Sequence, residues 1–412
     1  EPVGLNVTGV AVPGQPFVIC GHNDSIAWGM TNTGVDNVDF YEEKINEDTS
    51  KYLYQANWHD FEIQEVTIAT KDDDTIKEVL RYTHRGPVVN RFKNYTEKII
   101  TMHWAGHEYS NEMRTIFQLN RASNWDDFLN AIRTFKSISQ NINYADTKGN
   151  IGLYCAAGVP VRKRVPGFEI LPGWTDEFDW QGFVPFEELP FTFNPGKGFV
   201  ASANSKTVGN DYPYHIGKWF SMPYRMNRIN DLLSSETKYT PEMVKSVQSD
   251  VESDLARDFS DEIVSVVQGI KDLTDIEKEG LNLIRKWDFK MQSEQVAPLL
   301  FEELYNTLFE NAFSDEMGDS LFREFIKVTK LPKVALANIW NIPESPWWDN
   351  IHTSGIEKMN DVLVSTFKQV ISKLEKQFGA DINNWSWGRA HQLTLEHPLG
   401  SVSLLNRVFN LN

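Results

Sequence analysis

Cysteine, basic charge and long apolar runs are all scarce in this sequence. Its 412 residues contain two cysteines, Cys20 and Cys155, both in apolar, strand-like surroundings. Two thiols cannot build a disulfide framework and do not by themselves indicate an oxidising compartment, so both are read as buried. No apolar run reaches the length of about 18 residues that a membrane-crossing helix needs. Lys and Arg number 40 against 57 Asp and Glu, a formal net charge of −17. That sign repels phosphate backbones and anionic membrane surfaces, which argues against nucleic acid and membrane as partners. Residue 1 does not open a basic segment followed by an apolar one, so it does not begin a secretory signal. A GxSxG elbow, a phosphate-binding glycine loop, a zinc-type cysteine cluster, internal repeats and low-complexity segments are also lacking.

The length allows two or three average domains or one large one with an extensive core. From Leu5 to Asn204 the texture is mainly β. Phe61, Ile63, Val66 and Ile68 alternate with polar residues, and the habit returns from Ile76 to Tyr82 after the acidic turn Asp72-Asp73-Asp74. Such alternation predicts antiparallel strands with one wet face. A helical stretch is predicted over 111–135, where Trp125, Phe128, Leu129 and Ile132 recur at helical spacing. Between Pro160 and Gly198 the chain is rich in Pro, Gly and aromatic residues, the mark of a strap over a core or of a substrate-facing wall. After Arg225 the texture turns helical. Thr240-Pro241 predicts a capped helix start, Thr274-Asp275-Ile276-Glu277 has capping-box spacing, and Ile356, Met359, Leu363, Phe367, Val370 and Leu374 form one stripe over 354–378. The organisation expected is a β-rich core over 1–224, a mainly helical region over 225–380 and a return toward the core over 381–412.

One stretch gathers backbone donors and carboxylates in a small space. Gly21-His22-Asn23-Asp24-Ser25 is a polar turn, Ile26-Ala27-Trp28 a short apolar strand, and Thr31-Asn32-Thr33-Gly34 a second turn before Asp36-Asn37-Val38-Asp39. Further blocks follow: Asn143-Tyr144-Ala145-Asp146, Trp180-Gln181-Gly182-Phe183, Ala201-Ser202-Ala203-Asn204, Tyr224-Arg225-Met226-Asn227-Arg228, Trp287-Asp288, Ser345-Pro346-Trp347-Trp348-Asp349 and Trp385-Ser386-Trp387-Gly388-Arg389. In this order the blocks resemble the nucleophile chain of the penicillin acylase family of N-terminal nucleophile hydrolases.

The resemblance implies an α+β fold, the four-layer αββα sandwich of antiparallel sheets, with a large helical insertion. It implies hydrolysis of a linear amide by the first residue of a self-cleaved chain, whose own α-amine serves as base and titrates near neutrality. Glu1, followed by Pro2, does not fit that role, so the nucleophile is expected outside these residues and the chain is read as a central, inactive fragment. Its partners would then be the missing segments of its precursor and a small amide substrate. Asn204 matches the family's side-chain oxyanion donor, Asn32 the residue whose backbone N–H is the other donor, and Arg225 the arginine that orients the site. Asp36, Val38 and Asp39 match positions that hold a structural calcium ion in several members, and hard oxygen ligands suit that ion. A later aspartate ligand falls near Ile216, with Asp211 the nearest carboxylate, and one ligand comes from a partner chain. A periplasmic or secreted place is implied on the same ground.

Other readings compete. His103 and His107 are four apart, but they follow a strand-like run and lack the glutamate of a zinc-helix motif. Ser365-Thr366-Phe367-Lys368 and Ser235-Glu236-Thr237-Lys238 match SxxK without the elements that accompany it in serine β-lactamases. Trp174, Trp180, Trp347, Trp348, Trp385 and Trp387 would serve a glycan-binding module as stacking platforms, which requires their faces to be exposed.

Overall fold

In the Ile26–Asn32 strand the odd and even residues part to opposite faces, and Ile26 and Trp28 go into the core. The computed structural model describes residues 4–71, 75–93, 97–164, 169–236, 238–328, 330–402 and 405–410. Within them the strand lies inside a six-stranded antiparallel sheet. Its order is Val7–Val10, Cys20–Asn23, Ile26–Asn32, Gln140–Asp146, Ile151–Ala156 and Phe191–Phe193. The register sets Trp28 opposite Tyr144 and Met30 opposite Ile142, with Tyr154 next across from Ile142. These side chains share one face, and the helices Glu112–Leu119 and Trp125–Ile132 pack on it through Ile116, Leu119, Phe128 and Ile132. The opposite face carries Gly29, Thr31, Asn141, Asn143 and Cys155, a far more polar set.

Two helices stand where one was expected over 111–135. The Asn124 side chain accepts from Asp127 N and caps the second helix, and a cap of this kind requires the extended backbone that Asn124 adopts at φ −160°. The hairpin Glu62–Ala69 and Thr75–Thr83 also departs from expectation. Its strands pair in register, Ile68 with Ile76, yet Ile63, Ile68, Ile76 and Val79 are exposed. The alternation was legible, but no buried face goes with it among the described residues. The acidic turn at 72–74 lies outside them.

The chain divides into two compact units, Glu1–Ser221 and Met222–Asn412. In the second, Thr240 caps the Pro241–Gln248 helix and Thr274 with Glu277 forms a complete capping box. The stripe predicted over 354–378 becomes the helix Met359–Phe378, whose Met359, Leu363, Phe367, Val370 and Leu374 share a core with the long helix Ala297–Lys327. Ile356 precedes that helix and is exposed. Gly318, at φ 67°, kinks the long helix, a conformation that costs other residues far more than glycine. In residues 381–410, Ile382 and Trp385 sit in the core of this second unit.

Trp348 and Trp385 are fully buried, and their ring N–H groups donate to Ile342 O and Gly379 O. Buried rings cannot stack on a glycan, which removes these two from the platform reading; Trp347 is exposed, and Trp174, Trp180 and Trp387 are half-buried. Ser365 lies within the Met359–Phe378 helix with its hydroxyl on Val362 O, which makes the first SxxK match helix surface. Thr237 of the second match lies outside the described residues.

Candidate functional site

The polar end of the central strand is held by side chains that are distant in sequence. Thr33 N donates to Ser139 O at 3.2 Å, and this makes Asn32 and Gln140 a pair that exchanges no backbone hydrogen bonds. The N–H and C=O of Asn32 therefore face away from the Gln140–Asp146 strand. On that open side the Asn204 side-chain nitrogen meets Asn32 O at 3.1 Å. Asn204 has φ 59°, the left-handed region that asparagine tolerates better than most residues. Two further contacts fix the same corner: Gln140 Nε2 donates to Asn32 Oδ1 at 2.7 Å, and the Thr31 and Ser202 hydroxyls lie 2.6 Å apart. Thus Asn32 and Asn204, 172 positions apart, converge.

Next along the chain, Gly34 adopts φ 72°, and a Cβ there would stand 3.2 Å from Trp219 O. The turn beyond it brings Asp36 and Asp39 onto one buried cation. Arg162 Nε donates to Asp39 Oδ2 at 2.7 Å, and its Nη2 reaches Asp36 O at 3.0 Å and Asp36 Oδ1 at 3.4 Å. The Trp180 ring N–H also donates to Asp39, and His215 Nε2 lies 3.2 Å from Asp36 Oδ2. Asp36, Val38, Asp39 and Glu169 line a cavity of about 300 Å³. Carboxylates on a shared cavity suit a hard cation in donor chemistry, although the guanidinium already offsets one of their charges. The Ile216 side chain is buried and apolar and offers no ligand atom, and its backbone O accepts from Asp36 N at 2.7 Å. Among the described residues no group of three or more His, Cys, Asp or Glu side chains converges in the manner of a metal site.

Arg225 stands in the first turn of the helix Tyr224–Ser234, exposed, and belongs to the second unit. His103 lies in the strand Ile99–Trp104 and stacks on Trp180 at 3.8 Å, while His107 meets Trp104 edge-on. The two rings thus serve aromatic packing. Burial, aided by the positive charge of Arg85, brings the His103 imidazole down to about 4.

Sequence reasoning passed over Arg162, Gln140, Ser202 and His215. Arg162 carried little signal, because it opens the basic run Arg162-Lys163-Arg164 after an apolar stretch, and nothing in that run marks which of the three charges is buried. Gln140, Ser202 and His215 carried none, because only the pairing of distant strands and loops gives them a role.

A model of penicillin amidase matches residues 2–412. The acyl-homoserine lactone acylase QuiP of Pseudomonas fluorescens is 25% identical over 411 residues, covering 95% of this chain and 50% of that protein. Penicillin G acylase of Escherichia coli is 30% identical over 217 residues, 51% of this chain and 25% of that protein. The chain thus spans about half the length of the acyl-homoserine lactone acylases it matches. In structure it is similar to a thermostable penicillin G acylase from Alcaligenes faecalis, with a TM-score of 0.72 at 21% identity, over 94% of this chain and 74% of that one. That likeness agrees with the α+β fold of antiparallel sheets and helices described above, and the match of the family model along nearly the whole sequence means that the chain belongs to the penicillin amidase family.

Proposed function

We propose that this chain is the scaffold of an acylase that hydrolyses a linear amide to a carboxylic acid and an amine, and that it supplies the oxyanion site. The observation that carries the proposal is the meeting of Asn204 and Asn32 at a strand end, on the side turned away from the Gln140–Asp146 strand. A tetrahedral intermediate places a full negative charge on the former carbonyl oxygen, and donors fixed in advance stabilise that charge without reorganising. The reading is supported by the bonds of Gln140 to the Asn32 side chain, of Thr31 to Ser202 and of Asn204 to the Asn32 carbonyl, which fix this corner of the strand.

In this proposal the attacking hydroxyl belongs to a part of the polypeptide outside these 412 residues. It adds to the amide carbonyl, the amine departs with a proton, and water then releases the acid from the acyl-enzyme. Arg225 is assigned the orienting role that the family resemblance implies. The substrate class is an acyl group joined to an amine, as the names of the acyl-homoserine lactone and penicillin acylases suggest. Asp36, Asp39 and the Val38 carbonyl would hold a calcium ion, with further ligands from outside the described residues; its contribution would be to brace the turn that follows Asn32. An exported protein goes with this reading, and cell fractionation of the source organism checks it.

The experiment has two arms. The purified 412-residue chain is assayed on a phenylacetyl and a long-chain acyl anilide, with no turnover expected. The complete, processed protein is assayed on the same substrates, with turnover expected. Activity in the first arm refutes an external nucleophile, and its absence from both, over a broad amide panel, refutes the acylase reading.

A further inference from the structure

Four helices of the second unit, Tyr224–Ser234, Asp254–Val267, Ala297–Lys327 and Leu331–Trp340, contribute to the wall of a cavity of about 130 Å³. Each of them places an aromatic residue there: Tyr224, Phe259, Tyr305 and Trp340. Phe259 and Trp340 lie 5.3 Å apart and 29° from parallel, while Tyr305 stands at 89° to Phe259, also at 5.3 Å. Rings in two perpendicular planes make a corner rather than a flat stack, and the face of each ring is electronegative.

The helix Asp254–Val267 also supplies a charge. Leu255, Asp258 and Phe259 fall at helical spacing on one face, so a carboxylate stands on the margin of an apolar stripe. Phe259 is buried and Asp258 is exposed; Tyr224 and Trp340 are half-buried, and Asn341, which also lines the cavity, is exposed. Solvent therefore reaches the end of the cavity where the carboxylate stands. Asp258 makes no ion pair among the described residues: Arg257 beside it is held by Glu252 and Asp254, and Arg228 by Asp250 and Glu252. The phenols add no charge of their own. Burial and the neighbouring Asp258 carboxylate raise Tyr224, and burial, with Tyr224 and Glu302 nearby, raises Tyr305, so both keep their protons at neutral pH.

A carboxylate at the mouth of an aromatic pocket, on a chain of net charge −17, attracts cations and repels anions. A hard metal ion would find one carboxylate there, short of the oxygen set it needs. An organic cation gains from ring faces as well as from the carboxylate. We propose that this cavity binds a small alkylammonium ion, its charge held between Asp258 and the rings. A cavity of this order holds a molecule about the size of benzene, which limits the alkyl groups to methyl or ethyl. No bond is made or broken. The inference uses neither Asn32 nor Asn204 and does not rest on the acylase reading.

Tetramethylammonium is the probe, and tert-butanol its uncharged counterpart of similar size. Both are titrated calorimetrically into the complete protein. Saturable one-to-one binding of tetramethylammonium is expected, roughly tenfold tighter than that of tert-butanol and weakened by added salt. Asp258→Asn, a change at an exposed helix position, should lower the affinity about fivefold. Trp340→Leu should lower it roughly tenfold, with a circular dichroism spectrum to check its fold; if it does not fold, Asp258→Asn decides. The inference is overturned by any of three results: no saturable binding, equal binding of tert-butanol, or unchanged affinity in Asp258→Asn or in a folded Trp340→Leu. The last would place the cation elsewhere on the protein.

Discussion

The side-chain amide of Asn204 donates to the backbone carbonyl of Asn32 at 3.1 Å, across 172 positions of sequence. Because N–H and C=O of a strand residue point to the same side, the Asn32 N–H faces the side of the strand on which this contact is made. In the complete protein, Asn204→Ala is expected to lower kcat by roughly 10²–10³. The left-handed backbone at φ 59° adds a stability cost of about 1–2 kcal/mol for alanine. Asn204→Gly removes the amide while suiting that backbone. It should lose the same kcat with thermal stability kept, and steady-state kinetics beside a melting curve separates the two effects.

Under the proposed function Gln140 would act through Asn32, whose Oδ1 it contacts, and not on the substrate. Removing its 2.7 Å bond to Asn32 Oδ1 should lower kcat by up to about tenfold and leave KM nearly unchanged, the scale of one net hydrogen bond. Gln140→Glu keeps the size but not the donor and should behave like Gln140→Leu. If Gln140→Leu instead changes KM alone, the residue does not position the donor.

Arg85 is the stability anchor of the first unit. Its side chain is 2% exposed; Nε and Nη2 reach Asp179 Oδ1 at 2.9 and 2.6 Å, and Nη1 and Nη2 reach Gly173 O and Thr175 O. Asp179→Ala would leave the buried guanidinium with only the Glu43 carboxylate, 3.9 Å away, as an ionic partner and should cost about 3 kcal/mol. A double variant, Asp179→Ala with Arg85→Met, should recover much of the loss. Denaturant midpoints measure both.

Acid should weaken the first unit through two imidazoles. Burial, reinforced by Arg85, brings His84 and His103 down to about 4 from an ordinary 6.5. Between those values the unfolded chain takes up protons that the native chain does not. Stability is therefore full above about 6.5, falls as the pH drops toward 4, and levels off for these groups below it. His103→Phe keeps a ring against Trp180 and removes one of the two, so its stability should depend less steeply on pH across this window in urea titrations.

Calcium, if held by Asp36 and Asp39, must stabilise by mass action. A hundredfold excess over its dissociation constant adds about 2.7 kcal/mol, which chelation removes. Thermal melts of the complete protein with calcium and with chelator test this, and a melting temperature indifferent to both would dismiss the ion. Asp36→Asn should abolish the calcium response and is milder than a change at Asp39, which is needed by Arg162.

What could be read along the chain was local. Thr240 and Thr274 announced their caps because a capping hydroxyl bonds within three residues, and the stripe from Met359 to Leu374 announced a buried face because helical spacing alone aligns it. The ordered motif blocks reached further and carried the family. The tertiary structure decided the rest. Ile63 and Ile68 alternate like half-buried residues yet stand exposed, since burial depends on what lies across from a strand and not on the strand. Arg162 clasps Asp36 and Asp39 from more than 120 positions away, and the cross-strand neighbours of Asn141 are Thr31 and Cys155. Periodicity fixes which way a side chain points; the partner it meets is chosen by chain closure over long separations, where no local spacing rule applies.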